Sequence, residues 1–224
     1  MTLSIPENEH DRWNRKYRES PGSWTEPDPF LLQAFSQYIV PLFLGGGKAL
    51  DLAGGAGRHA IWLAKKGWEV TLIDISEAGV ELARHNAGAL ATHIRFVVDD
   101  LTHFKASQIR SAASLKEVSL KNASLKKATP EKDTLENAFE LVLVFCYLDR
   151  AIFSEIVKAI RPGGLLVYKT HTVLQAERQC GPKNPAHLLQ PGELPQLAEG
   201  LQILHYREVV AERATAELVA KKAL

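Results

Sequence analysis

The chain has 224 residues, of which 46% are hydrophobic, and its formal net charge is +1. This length and composition suit one domain with a substantial core, and the near-neutral charge gives no electrostatic reason to expect nucleic acid or an anionic membrane as a partner. Its two cysteines, Cys146 and Cys180, fit neither a metal motif nor a disulfide framework, so we expect no metal. The polar N-terminus and the absence of any apolar run of about 20 residues favour a cytoplasmic protein outside the membrane.

The N-terminal segment, residues 1–45, is predicted to form a helical cap on the domain. Trp13 and Tyr17 are four positions apart, which places them on one face of a first helix over residues 7–19. A Ser-Pro-Gly-Ser sequence breaks that helix, and a second one is predicted to begin at Pro29.

The rest of the chain alternates between strand and helix patterns. Strands are predicted at 48–52, 68–73, 94–98, 140–145 and 165–170, and helices at 58–66, from Ser76, at 149–160 and at 192–198. A helix stop is predicted at 161–164, a loop-rich stretch at 171–190, and an antiparallel hairpin at 201–210 and 214–220, although the last segment also has a helical pattern. This rhythm predicts a single α/β domain over 1–224: a doubly wound, Rossmann-like, mostly parallel seven-stranded sheet with helices on both faces.

Residues 105–138 interrupt the alternation. The triplet Ser-Leu-Lys recurs in this segment with a period of five, no aromatic residue occurs between Phe104 and Phe139, and basic residues outnumber acidic ones by seven to four. We predict a mobile low-complexity insertion. The alternative is a basic arm for an anionic partner, but the segment lacks the aromatic residues on which bases stack.

A glycine-rich turn at 51–57 joins the first predicted strand to the next helix. Such a turn presents backbone N–H groups and a helix N-terminus to a ligand. The dinucleotide pattern G-x-G-x-x-G fails here, because its third glycine falls on Arg58. The remaining step from Gly55 to Gly57 suits a nucleoside that has no pyrophosphate, such as S-adenosylmethionine.

Carboxylates follow the next two predicted strands. Asp74 is positioned to accept both ribose hydroxyls, and Asp100 to accept from the adenine amine. The alternative for both is that they cap the following turn, and capping is the favoured interpretation for Asp99.

The sequence DLAGGAGRHAIWLA with IDIS resembles motifs I and II of class I methyltransferases, and VDDL resembles their adenine-side motif. A narrower resemblance is carried by residues 147–172, 181–197 and 201–210 and by the N-terminal RWNRKYRE. These segments resemble small bacterial methyltransferases related to the tellurite-resistance methyltransferase family. The resemblance covers nearly all of the chain outside 105–138. It implies S-adenosylmethionine as cofactor and a lid formed by Trp13, Lys16 and Tyr17. The alternative for these residues is an amphipathic helix that packs on the domain. One departure is Ala53, which replaces the first glycine of motif I. Because alanine is small, we expect the cofactor to approach the backbone slightly less closely and still to bind.

The acceptor is expected where the fourth and fifth strands end. The fourth strand lacks the Asn/Asp-Pro-Pro-aromatic motif of enzymes that methylate amino groups of bases, so a nucleic-acid substrate is not expected. Phe145 and Leu148 are predicted to line the cofactor or to pack in the core, and His171 to act as a general base or to be a solvated loop residue. The full set of predicted cofactor-binding residues is Trp13, Tyr17, Asp51, Ala53, Gly54, Gly55, Gly57, Arg58, Asp74, Ile75, Ser76, Asp100, Leu101, Phe145 and Leu148.

The sequence therefore predicts a methyltransferase with a small-molecule acceptor, such as a thiol, chalcogen or metalloid nucleophile. Two alternatives remain: a nicotinamide-dependent oxidoreductase, disfavoured by the glycine spacing, and a nucleoside-binding module without catalysis.

Overall fold

The computed structural model describes residues 7–22, 25–107 and 134–224. Seven strands form one mixed sheet in the order β3-β2-β1-β4-β5-β7-β6. Their bounds are β1 Lys48–Leu52, β2 Glu69–Asp74, β3 Ile94–Val98, β4 Phe139–Phe145, β5 Ile160–His171, β6 Leu201–Val210 and β7 Ala214–Lys222. The pairs among β1 to β5 are parallel, and β7 runs antiparallel to both β5 and β6. The predicted Rossmann-like sheet with a C-terminal antiparallel hairpin is confirmed.

Six α-helices flank the sheet in the described parts of the chain: α1 Glu9–Glu19, α2 Pro29–Ala34, α3 Arg58–Ala64, α4 Glu77–Ala87, α5 Phe153–Ala159 and α6 Glu193–Leu197. Asp28 caps α2 by accepting the N–H of Phe30, and Ser76 caps α4 by accepting the N–H of Gly79. Both side chains supply an acceptor to an N–H group that the helix itself leaves unpaired. Across 7–22, 25–107 and 134–224, none of the helices has the length and apolar character of a membrane span.

The core lies on both faces of the sheet. Residues 141–144 of β4 are fully buried, with Val142 and Val144 in one apolar cluster and Leu141 and Leu143 in the other. This is the packing expected for a central parallel strand, in which the side chains of both faces are covered by helices. The continuous apolar run of β4 therefore fixes the middle of the molecule.

The predictions around α5 and β5 need a correction. The predicted helix over 149–160 is a 3-10 turn at Arg150–Ile152 followed by α5, and β5 begins at Ile160 instead of 165. The residues 161–164 that were predicted to stop the helix belong to the strand, where the pairing with β4 shifts register. Gly163 makes this possible, since its φ of 76° is reached without steric cost by glycine.

The prediction of a mobile insertion was wrong at its two ends. Ala106 is fully buried and Leu135 is 5% exposed, and both belong to a core cluster. The N–H of Leu135 donates to the carbonyl of Ala106 at 2.6 Å, and the N–H of Ala106 donates to the buried Glu155 carboxylate at 3.0 Å. Residues 108–133, which contain the Ser-Leu-Lys repeats, lie outside the described residues.

Candidate functional site

The glycine turn lies at the carboxyl end of β1, beside the end of β2. Ala53, Gly55 and Gly57 have φ values of 55°, 53° and 79°, in the left-handed region. The N–H of Gly57 donates to the carbonyl of Gly54, which closes the turn directly before Arg58 starts α3. For Ala53 this conformation costs about 1–2 kcal/mol, and such strain concentrates at functional sites.

Asp74 at the end of β2 is almost completely buried and holds the turn in place. Its Oδ2 accepts the N–H of Gly55 at 2.8 Å and its Oδ1 accepts the N–H of Ser76 at 2.9 Å. Burial raises the pKa of this carboxyl, and the backbone donors oppose that rise. A carboxylate offers about four acceptor sites, so acceptor capacity remains for a hydroxyl donor such as that of a ribose.

Asp51 lies directly beneath the turn and is only partly satisfied. The residue is 1% exposed, and its Oδ2 has no hydrogen-bond partner in the described parts of the chain. Burial raises its pKa to about 7, while the nearby charge of Arg58 and the N–H of Ala60 act in the opposite direction. An orphaned buried acid at this position favours a ligand that brings a positive charge.

The N-terminal helix α1 covers the turn. The Tyr17 side chain fills a slot between two glycines, because a β-carbon on Gly55 would overlap its hydroxyl and one on Gly79 would lie 2.8 Å from its ring. Trp13 stacks on Tyr17 with 5.9 Å between ring centroids. Burial raises the pKa of Tyr17, and the charge of Asp74 acts in the same direction. The structure thus places Tyr17 against the glycine turn, with Trp13 stacked on it.

Asp100, at the end of β3, makes the contact of a cap. Its Oδ1 accepts the N–H of Thr102 at 2.9 Å, and Asp99 in turn accepts the N–H of Asp100. Leu101 is buried in the core. The adenine role of Asp100 remains a prediction, which its capping contact leaves open.

The residues at the tip of β4 differ in their exposure. Phe145 is 6% exposed and packs on His59 with 4.2 Å between ring centroids, and Leu148 is 5% exposed. Cys146 has a φ of 58°, donates its N–H to the carbonyl of Lys169 at 2.8 Å and keeps exposed surface. Desolvation raises the pKa of its thiol, so its surroundings do not activate it as a nucleophile.

Tyr147, which the sequence reasoning did not select, lies between the exposed Cys146 and the buried Leu148. It is half-buried; desolvation raises the pKa of its hydroxyl, and the carboxylates of Asp149, Asp100 and Asp74 add to this effect. Its ring packs against a core cluster that includes Leu52 and Leu148. Only its position between Cys146 and Leu148 could have singled it out.

A second feature absent from the predictions is a partly buried ion-pair network at the end of β5. Lys169 Nζ lies 2.9 Å from Asp28 Oδ1 and 3.0 Å from Glu217 Oε1. Arg207 also pairs with Glu217, and Asp28 lies 4.0 Å from Arg58. The network connects the start of α2 with β5 and β7.

His171 is a poor match to the role of general base. The residue is 4% exposed, and burial together with the charge of Arg213 lowers its pKa. The imidazole therefore offers little surface to an acceptor.

One known protein family matches the part of the chain that contains the glycine turn. The family described as "Methyltransferase domain" matches residues 49–113. A 23S rRNA (uracil(747)-C(5))-methyltransferase of Pyrococcus abyssi is 38% identical over 69 residues, which cover 31% of this chain and 16% of that protein. The corresponding protein of Pyrococcus horikoshii is 35% identical over 76 residues and is covered to 18%. The chain thus matches less than a fifth of the length of these curated relatives.

Solved structures resemble the chain over most of its length. The N-methyltransferase NodS from Bradyrhizobium japonicum WM9, in complex with S-adenosyl-L-homocysteine, superposes with a TM-score of 0.63 at 17% identity, covering 96% of this chain and 99% of that one. TehB from Haemophilus influenzae gives a TM-score of 0.61 at 15% identity, covering 94% and 67%. At these identities the likeness concerns the fold, which is that of the Rossmann-like class I methyltransferases. A methyltransferase domain on this fold implies S-adenosylmethionine as methyl donor, as the sequence predicts.

Proposed function

We propose that this chain is an S-adenosylmethionine-dependent methyltransferase acting on a small-molecule acceptor. The observation that carries the proposal is the pair of buried carboxylates around the glycine turn. Asp74 has acceptor capacity left for ribose hydroxyls, and Asp51 has an unpaired buried oxygen beside the same turn. A nucleoside that also carries positive charge satisfies both requirements.

The roles of the surrounding residues follow from their positions. Asp74 is proposed to bind the ribose, Asp51 to attract the cationic amino-acid portion, and Tyr147 with Asp100 to flank the adenine. Trp13 and Tyr17 on α1 are proposed to exclude water from the bound cofactor. The cofactor supplies an electrophilic methyl group, so the protein mainly aligns the acceptor with it.

The acceptor side supports a soft nucleophile, such as a thiol, a chalcogen or a metalloid. A chalcogen or metalloid oxyanion attacks through a lone pair that is available near neutral pH, whereas a thiol, with a pKa of about 8.5, first loses its proton to solvent or to a weak base. The end of β4 presents the exposed Cys146, while the buried His171 offers little access for proton abstraction. The relation to the tellurite-resistance group is proposed on the sequence resemblance and on the shared fold of TehB.

Methyl transfer from labelled S-adenosylmethionine to a panel of acceptors tests this function. The panel contains small thiols, selenite, tellurite, arsenite and small carboxylic acids, together with a 23S rRNA transcript because the curated relatives carry that substrate in their names. Label in a thiol, chalcogen or metalloid product supports the proposal. Label only in the RNA contradicts the small-molecule acceptor, and binding of the cofactor without transfer to any member favours the non-catalytic nucleoside-binding module.

A further inference from the structure

Asn14 is a buried amide on an otherwise exposed helix. It is 3% exposed, whereas its neighbours Arg15 and Lys16 are exposed. Burying an amide costs free energy unless its donors and acceptor are paired. Docking of an apolar helix face therefore does not explain why Asn14 is buried.

The amide of Asn14 binds the first turn of α4. Its Oδ1 accepts the hydroxyl of Ser76 at 2.8 Å and the N–H of Ala78 at 2.9 Å, and its Nδ2 donates to Oε2 of Glu77 at 3.1 Å. These contacts join residues more than sixty positions apart in the sequence. A single side chain of α1 thus contacts the N–H of Ala78, the capping hydroxyl of Ser76 and the carboxylate of Glu77 at the start of α4.

The contacts continue to the proposed ribose site. Ser76 donates its single hydroxyl proton to Asn14, so its oxygen stays available to the N–H of Gly79 at 3.0 Å. The N–H of Ser76 donates to Asp74 Oδ1, and Asp74 Oδ2 accepts the N–H of Gly55. An unbroken sequence of hydrogen bonds therefore runs from α1 through Ser76 and Asp74 to the glycine turn.

We propose that Asn14 is a positioning residue for the ribose site. It fixes Ser76, which orients Asp74, and it thereby makes docking of α1 and binding of the nucleoside depend on each other. The inference rests on the proposed function, in which Asp74 binds the ribose hydroxyls. Because coupling of two binding events is reciprocal, a docked α1 strengthens nucleoside binding and a bound nucleoside strengthens docking of α1.

The first test compares ligands with and without ribose hydroxyls. Affinities of the full chain for S-adenosylhomocysteine, adenosine and 2′,3′-dideoxyadenosine are measured by calorimetry, the weaker ligands by competition. Asn14→Ala is expected to weaken S-adenosylhomocysteine binding about tenfold, a typical effect of removing a residue that orients a ligand-binding group. The preference for adenosine over its dideoxy analogue is expected to fall with it.

The matched control is Asn86→Ala, since Asn86 is exposed on α4, and it should leave both affinities within about twofold. A role in stability alone would lower the affinities for adenosine and dideoxyadenosine by the same factor. An unchanged preference between them in Asn14→Ala therefore overturns the inference. If Asn14→Ala does not fold, Ser76→Ala breaks the same sequence of hydrogen bonds and carries the same expectation.

The second test measures the reciprocal effect on α1. S-adenosylhomocysteine should slow amide hydrogen exchange across Glu9–Glu19 in the wild type and in the control Asn86→Ala, but not in Asn14→Ala. Equal slowing in Asn14→Ala overturns the coupling. A wild-type chain that binds no S-adenosylhomocysteine overturns the proposed function itself, which distinguishes the two failures.

Discussion

The two halves of the candidate site are built in different ways. The glycine-turn side, comprising residues 51–57 and Asp74, is held by backbone N–H groups that donate to carboxylates close by in sequence or on the neighbouring strand. The Lys169 side, comprising Asp28, Lys169 and Glu217, is held by ion pairs between residues as far apart as 141 positions. The first type of site needs particular residues at particular strand ends, whereas the second depends on side chains that meet only after folding.

The largest expected effect concerns stability on the Lys169 side. Lys169→Met removes the cation that Asp28 and Glu217 share and leaves each with its second cationic partner, Arg58 or Arg207. The free energy of unfolding should fall by about 3 kcal/mol. Urea denaturation measures it. The control is Lys65→Met, because Lys65 is exposed and directly follows α3. Its free energy of unfolding should stay within about 0.5 kcal/mol of the wild-type value. Equal stability of the two variants would show that the network contributes nothing to the fold.

The next effect concerns ligand binding on the glycine-turn side. Asp74→Ala should lose about 2–3 kcal/mol of S-adenosylhomocysteine affinity, because it removes charge-assisted acceptors for two hydroxyls. Calorimetry on Asp74→Ala and on the neighbouring Asp99→Ala separates a ribose contact from a cap, since the Asp99 side chain accepts the backbone N–H of Asp100. Unchanged affinity in Asp74→Ala would mean that the ribose site is misplaced.

The third prediction is a pH dependence that arises from Asp51. Its folded-state pKa of about 7 lies above the ordinary value of 3.8. Between these values the folded chain keeps a proton that the unfolded chain releases, so the stability contribution falls as pH rises through that window. The free energy of unfolding of Asp51→Asn should therefore exceed that of the wild type by about 2 kcal/mol at pH 8, and this difference should vanish near pH 4. A stability difference that does not change with pH would contradict the burial of an orphaned acid.

The smallest effect concerns the insertion. The carbonyl of Ala106 and the N–H of Leu135 already meet, so removing 108–133 shortens a connection whose ends are adjacent. The thermal midpoint should change little, because loop-closure entropy depends weakly on length. Removing 106–136 also deletes the buried Leu135 and should lower the free energy of unfolding by about 2–3 kcal/mol more. Equal melting of the two deletions would show that the buried ends do not matter.

The sequence predicted the sheet because its signals are local: β-branched strands, a Ser76 cap and a glycine turn each act within a few residues. It misplaced the start of β5, since proline and glycine at 162–164 are read as a helix stop although a bulged strand also accommodates them. Ala106 and Leu135 were assigned to the insertion because isolated apolar residues carry no periodicity. Asn14 and Lys169 acquired their contacts only through long-range pairing, for which one sequence gives no signal.

Calorimetric titration of the wild-type chain with S-adenosylhomocysteine and, separately, with NAD tests the central claim most directly. The carboxylates around the glycine turn predict micromolar binding of S-adenosylhomocysteine and no binding of NAD, whose pyrophosphate finds no third glycine because Arg58 occupies that position. Binding of NAD in place of S-adenosylhomocysteine, or binding of neither, would contradict the assignment of this turn to a methyl donor.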